Sequence, residues 1–182
     1  FVFNGVLMKK AIMFFLIICR IKASEETAYY KLTDEYKMNK EEQIKVFNLS
    51  NEAKEVFGID RTLLWAIIAS ESSFRNVSNG KSIGYPQIRL ITAKDVYKKY
   101  EKEFKLLKVK EPKTNNDLKS PEVQICIASA QLNYLSKKFK GNKIKVLRAY
   151  NAGTKGMYKV NNLWYAKKVI KKQKEIKKLA EK

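Results

Sequence analysis

Apolar residues recur at helical spacing along most of this chain, and short polar stretches separate the periodic segments. Asn39 is placed to cap a helix running to Phe57, with Ile44, Phe47, Ala53 and Val56 inward and Gly58 as its stop. Asp60 is a good cap for a second helix, from Arg61 to about Ser70. That helix carries Leu63, Leu64, Trp65, Ala66, Ile67 and Ile68, so it is apolar nearly all round and belongs at the centre of the fold. Ser72 to Pro86 is rich in Ser, Asn and Gly, which predicts a loop or short hairpin. Thr92 to about Phe104 is helical in pattern, and Lys108 to Lys119 is a polar connection. Ser120 and Pro121 open a helix reaching about Phe139, with Gly141 after it. Two more helices follow, from about Asn142 to Tyr150 and from about Leu163 onward. The expected fold is mainly α, a single helical domain with a short irregular or small β region after the central helix.

The first residues have a different pattern. Met8 is followed by Lys9 and Lys10, then by an unbroken apolar run over residues 11–19. A short basic region, a short apolar stretch and a small residue at Ala23 describe a secretory signal. The run is far below the ~20 residues that a membrane-spanning helix needs. The expectation is export with residues 1–23 as signal peptide, of which 1–7 precede the start Met. The exported part then divides into an N-terminal helical segment (24–58), a main domain (59–170) and a Lys-rich helix end (171–182). Cys126 would be the one remaining cysteine; its apolar surroundings predict a buried thiol rather than a nucleophile.

Composition narrows the chemistry. The 182 residues include 38 Lys and Arg against 18 Asp and Glu, a formal net charge of +20, and no His at all. The absence of His excludes Ser–His–Asp and His-ligated metal chemistry. Residues 24–60 carry net −4 and residues 61–182 net +20, so the basic character belongs to the body and tail. Such charge suits an anionic partner. The 33 Lys against 5 Arg, with no nucleic-acid-binding motif, argue against specific nucleic-acid readout. The segment from Trp164 holds eight Lys and two Glu around Val169, Ile170, Ile176 and Leu179. It is either a docked amphipathic helix with a solvated face or a device that holds the protein on an anionic envelope polymer or membrane.

Glu71 stands out because it ends the most apolar helix. Burial there would raise its pKa and let it hold a proton near neutral pH, as a general acid must. The alternatives are pairing with a Lys or exposure past the helix end. The surrounding residues add to the functional reading. Glu71-Ser72-Ser73-Phe74 is followed by Ser78, by Gly84-Tyr85-Pro86-Gln87 and by Thr92-Ala93; Ala149-Tyr150-Asn151-Ala152-Gly153 and Tyr165 come later.

This ordered set resembles the soluble-lytic-transglycosylase-type (SLT) catalytic domain of bacterial lytic transglycosylases, in the lysozyme-like superfamily. The resemblance covers about Ile59 to Ile170. It implies cleavage of the β-1,4 bond between N-acetylmuramic acid and N-acetylglucosamine in peptidoglycan, closing a 1,6-anhydro ring, with Glu71 as the single general acid and base. By the same resemblance Ser78, Gln87, Tyr150, Asn151 and Tyr165 would bind substrate, and no cofactor or metal is implied. Each of these also has a structural reading: Tyr150 and Asn151 as a helix end, Trp164, Tyr165 and Val169 as a docking face. Trp65 and Phe74 suit the core. Asp95 is the next acid after Glu71, and no motif puts it in a site. Tyr85-Pro86 stand where the family has Leu-Met, Lys81-Ser82 where Gly-Ala is usual, and Thr154 where Pro follows Ala-Gly. The competing functions are a muramidase that uses water, and a wall-binding or secretion-assembly protein with decayed activity. The periplasm or cell envelope is the expected location, with a secretion or conjugation apparatus as a further partner.

Overall fold

The computed structural model describes Met13 and residues 24–181; the signal expected over residues 1–23 lies outside the described residues, Met13 aside. Among the described residues the fold is mainly helical, as the apolar spacing predicts, with one two-stranded hairpin in the segment rich in Ser, Asn and Gly. The described part of α1 spans residues 24–35. It is followed by α2 (Lys40–Phe57), α3 (Arg61–Ser72), the strands β1 (Ser78–Asn79) and β2 (Ser82–Ile83), α4 (Leu90–Lys99), α5 (Glu101–Leu106), a 3₁₀ turn (Asp117–Lys119), α6 (Pro121–Lys138), α7 (Lys143–Gly156) and α8 (Leu163–Ala180).

The capping signals act where the sequence placed them. Asn39 accepts from the Glu41 and Glu42 amides, and Gly58 closes α2 in the left-handed conformation. Asp60 accepts from the Thr62 amide, and Ser120 accepts from the Val123 amide in front of α6.

α3 forms the centre. Leu64, Trp65, Ala66, Ile67 and Ile68 are all fully buried, each large side chain stabilising the fold by roughly 1.5–3 kcal/mol. α8 packs along α3, α2 along α6, and α7 joins α6 to α8. α1 completes the core from one end: Tyr29 packs on Trp65 at 4.8 Å between ring centres, and its hydroxyl donates to the Gln43 carbonyl (3.0 Å). Cys126 is buried, and burial pushes its thiol pKa up to about 12, so it is inert.

Four local expectations are corrected. Ile44 is 52% exposed rather than inward. The buried stripe of α2 runs instead through Gln43, Val46, Phe47, Ser50, Ala53 and Phe57. Gln43 holds the inward position because its amide donates to Asp34 and to the Met38 carbonyl. Val56 is half-buried and packs against the core, in keeping with its expected inward position. α3 runs two residues past Ser70, so Glu71 sits inside its last turn. The segment from Thr92 to Phe104 is two helices, broken at Tyr100 (φ −126°). The bend lets Tyr100 and Phe104 both reach Phe57, while the Tyr100 hydroxyl bonds Asn133 (2.6 Å). α7 continues past Tyr150 to Gly156 and is split at Gly153, whose φ of 77° and ψ of 161° suit only glycine.

Candidate active site

Glu71 is half-buried where the apolar α3 meets the polar loop. Ser73 and Phe74 follow in left-handed backbone (φ 54° and 55°), which turns the chain sharply away from the helix axis. Phe74 is buried against Tyr29 and Tyr36 and anchors that turn in the core.

Two residues of α8 act on the acid, one by a hydrogen bond and one by its charge. The Tyr165 hydroxyl donates to Glu71 Oε1 at 2.6 Å, and Lys168 Nζ donates to the Ser70 carbonyl at 2.8 Å. Burial pushes the Glu71 pKa above the ordinary carboxylate value. The Tyr165 hydrogen bond and the Lys168 charge pull in the opposite direction, and burial outweighs them. Burial and the Glu71 charge hold the phenols of Tyr150 and Tyr165 protonated, so both are donors.

The loop after α3 supplies the facing wall. Gly84 (φ 83°) sits against α6, and a Cβ there would lie 2.0 Å from the amide carbon of Gln124. The Gln124 amide accepts from the Tyr85 backbone N–H (2.9 Å) and donates to Asn76 and to the Leu118 carbonyl (2.8 Å each). Gln87 Nε2 donates to the carbonyls of Val77 (3.0 Å) and Gly84 (2.8 Å). Tyr85 is buried in the core, and the Pro86 carbonyl accepts from the Tyr150 hydroxyl (3.2 Å). The Tyr85-Pro86 pair is thus built into the wall through a buried ring and a backbone oxygen.

These elements enclose a groove of about 490 Å³. Glu71, Gln87, Tyr150 and Asn151 line it, together with Asn79, Ser82, Arg89, Thr92 and Gln131; Ile91 and Val160 add apolar surface. Tyr165 is buried and meets the groove through Glu71. Asn151 accepts from Asn162 (3.1 Å), whose amide also donates to the Arg148 carbonyl, which ties the groove wall to the start of α8. Ser78 is exposed on the hairpin opposite Ile83 and is not among the groove-lining residues; its neighbours Asn79 and Ser82 are. Asp95 is exposed on α4 and does not line the groove. Glu71 is therefore the one carboxylate among the described lining residues.

Sequence reasoning missed Gln124, Gln131, Arg89, Asn162 and Lys168. Gln124 and Gln131 were visible as amides interrupting the apolar stretch of α6. Lys168 was hidden among the lysines of α8.

The family model described as transglycosylase SLT domain matches residues 48–173. The 70 kDa soluble lytic transglycosylase of Escherichia coli has a similar structure, with a TM-score of 0.60 at 20% identity, over 70% of this chain and 24% of that one. An inactive Glu-to-Gln mutant of the lytic transglycosylase Slt of Pseudomonas aeruginosa gives 0.51 at 22% identity, over 72% and 22%. The chain spans about a quarter of the length of either protein. No curated protein matches it significantly.

Proposed function

The chain belongs to the transglycosylase SLT domain family, matched over residues 48–173, and on that premise we propose that it cleaves the MurNAc-β-1,4-GlcNAc bond of peptidoglycan and leaves 1,6-anhydro-MurNAc ends. One observation carries this reading. Glu71, its pKa raised by burial and its carboxylate held by Tyr165, is the single acid among the described groove-lining residues.

Glu71 enters the reaction protonated and gives its proton to the glycosidic oxygen as the C1–O bond breaks. The substrate's N-acetyl group supports the cationic sugar. Glu71, now a carboxylate, takes the proton of the muramyl 6-hydroxyl, whose oxygen closes on C1. One carboxyl group suffices, whereas hydrolytic glycosidases by the usual routes need two at set separations. The neutral phenol of Tyr165 and the N–H groups around the groove hold the acid and the sugar in place. Mass spectrometry of products from purified sacculi tests the proposal. Anhydro ends support it; reducing ends make the protein a muramidase, and no product makes it a wall-binding protein.

Lys168 gives this reading a pH signature. Replacing Lys168 with Met removes a cation that favours the charged form of Glu71, so the Glu71 pKa rises further. The acid then stays protonated to higher pH, and the alkaline limb of kcat/KM moves upward. A pH–rate profile measures the shift.

The proposed setting is the periplasm or cell envelope after removal of residues 1–23, close to a secretion or conjugation apparatus. α8 supports an anionic contact. Lys167, Lys171, Lys174 and Lys178 are exposed on one face, with exposed Trp164 a turn earlier, and none of these four lysines is in an ion pair among the described residues. Near an anionic membrane each Lys contributes about 1 kcal/mol. Replacing all four with Gln abolishes salt-sensitive sedimentation with phosphatidylglycerol vesicles and leaves thermal stability unchanged.

A further inference from the structure

The arginines of this chain are few, and those in the described residues are used with one exception. Arg61 bonds Glu25 and Asn51. Arg75 donates from Nε to the Ser72 carbonyl (3.1 Å). Arg148 donates from Nε to Asn162 (3.0 Å). Arg89 is exposed and makes no side-chain hydrogen bond or ion pair among the described residues.

Its backbone, in contrast, is firmly placed. Ile88 before it bridges Ile83, and the Arg89 carbonyl accepts from the Ala93 amide (3.0 Å) at the start of α4. Arg89 is also the only cation among the described groove-lining residues, as Glu71 is the only carboxyl group. Glu71 does not pair with it. In a chain with 33 Lys and 5 Arg, Lys is the compositional default for a solvated positive charge. A guanidinium offers something Lys does not, a rigid fork that matches a carboxylate through two parallel hydrogen bonds.

We infer that Arg89 is a specificity-determining residue that binds a carboxylate carried by the glycan strand, so that the groove selects acidic strands over neutral ones. This rests on the proposed peptidoglycan substrate. Muramic acid residues present such a group in two ways: as the free lactyl carboxylate of strands without peptide, or as the carboxylates of peptide stems. Arg89 needs only the carboxylate, and the two sources separate by experiment.

Initial rates are measured for wild type, Arg89→Ala and Arg89→Lys on three glycans: strands with stems, strands stripped of stems, and stripped strands whose carboxylates are converted to methyl amides. Arg89→Ala is expected to lower kcat/KM by about 10- to 100-fold on one of the acidic strands, the span of a charged hydrogen bond. The loss falls mainly on KM, is at least about tenfold smaller on the amidated strands, and is partly restored in Arg89→Lys. Loss on stripped strands identifies the lactyl carboxylate; loss confined to stem-bearing strands identifies the stem. Equal losses on acidic and amidated strands, or no loss on either acidic strand, overturn the inference and leave the proposed function standing. Wild type that cuts none of the three overturns both.

Discussion

Replacing Glu71 with Gln lowers glycan cleavage by at least about 10²–10⁴-fold, the contribution of general acid–base catalysis, and leaves the protein folded. Gln keeps the shape of the side chain and an oxygen that accepts from the Tyr165 hydroxyl, so the packing at the end of α3 survives. What it lacks is a transferable proton. The sign of the stability change follows from the raised pKa. The folded state holds the Glu71 proton more tightly than the unfolded chain does. Stability attached to this group is therefore full below the ordinary carboxylate range and declines as pH rises through the raised folded value. Glu71→Gln removes that decline. Thermal unfolding of the variant is thus equal to or higher than wild type at neutral pH, with the difference narrowing in acid. Turbidity clearing of sacculi reads the activity. A variant that clears sacculi at the wild-type rate shows that Glu71 is not the acid.

Gly84→Ala has the largest expected effect on the fold. The new Cβ lies 2.0–2.3 Å from three atoms of the Gln124 amide, in a backbone conformation (φ 83°) that L side chains rarely adopt. Overpacking costs about 1–3 kcal/mol and left-handed strain about 1–2 kcal/mol. Together these approach half of an ordinary domain's stability of about 5–15 kcal/mol. Relief requires Gln124 to move, which breaks its bonds to Tyr85, Asn76 and Leu118. The wall carrying Gln87 and the Pro86 carbonyl then separates from α6, and Tyr150 loses its acceptor. The expected result is a melting temperature lower by roughly 5–15 °C and a cleavage rate reduced well beyond the loss of folded protein. Unfolding by circular dichroism alongside activity per folded molecule measures both.

Much of this architecture was legible in the sequence. Asn39, Asp60 and Ser120 announce helix starts through their side-chain chemistry, and the apolar run through Trp65 requires burial. Glu71 was legible because a carboxylate at the end of such a helix conflicts with its surroundings. Less legible were features that depend on tertiary partners. Nothing local says that Gln43 outranks Ile44 for the inward face; the answer lies in Asp34 and the Met38 carbonyl. The break at Tyr100 follows from the shared approach to Phe57. The same holds at the site. Tyr165 looked equally like a docking residue, and it is both buried in the α8 interface and bonded to Glu71. Tyr85-Pro86, a departure from the family pattern, keeps the wall intact because a buried ring and a backbone carbonyl carry the contacts. Arg89 stood out in the sequence only as an Arg in a Lys-rich chain, since an unpaired cation is recognisable only once its surroundings are known.

Digestion of purified sacculi in heavy-oxygen water shows which oxygen attacks C1. If Glu71 works alone and the muramyl 6-hydroxyl attacks C1, the new ends are 1,6-anhydro-MurNAc and carry no solvent oxygen. Reducing MurNAc ends labelled with heavy oxygen would mean that water attacks C1 and that the protein is a muramidase.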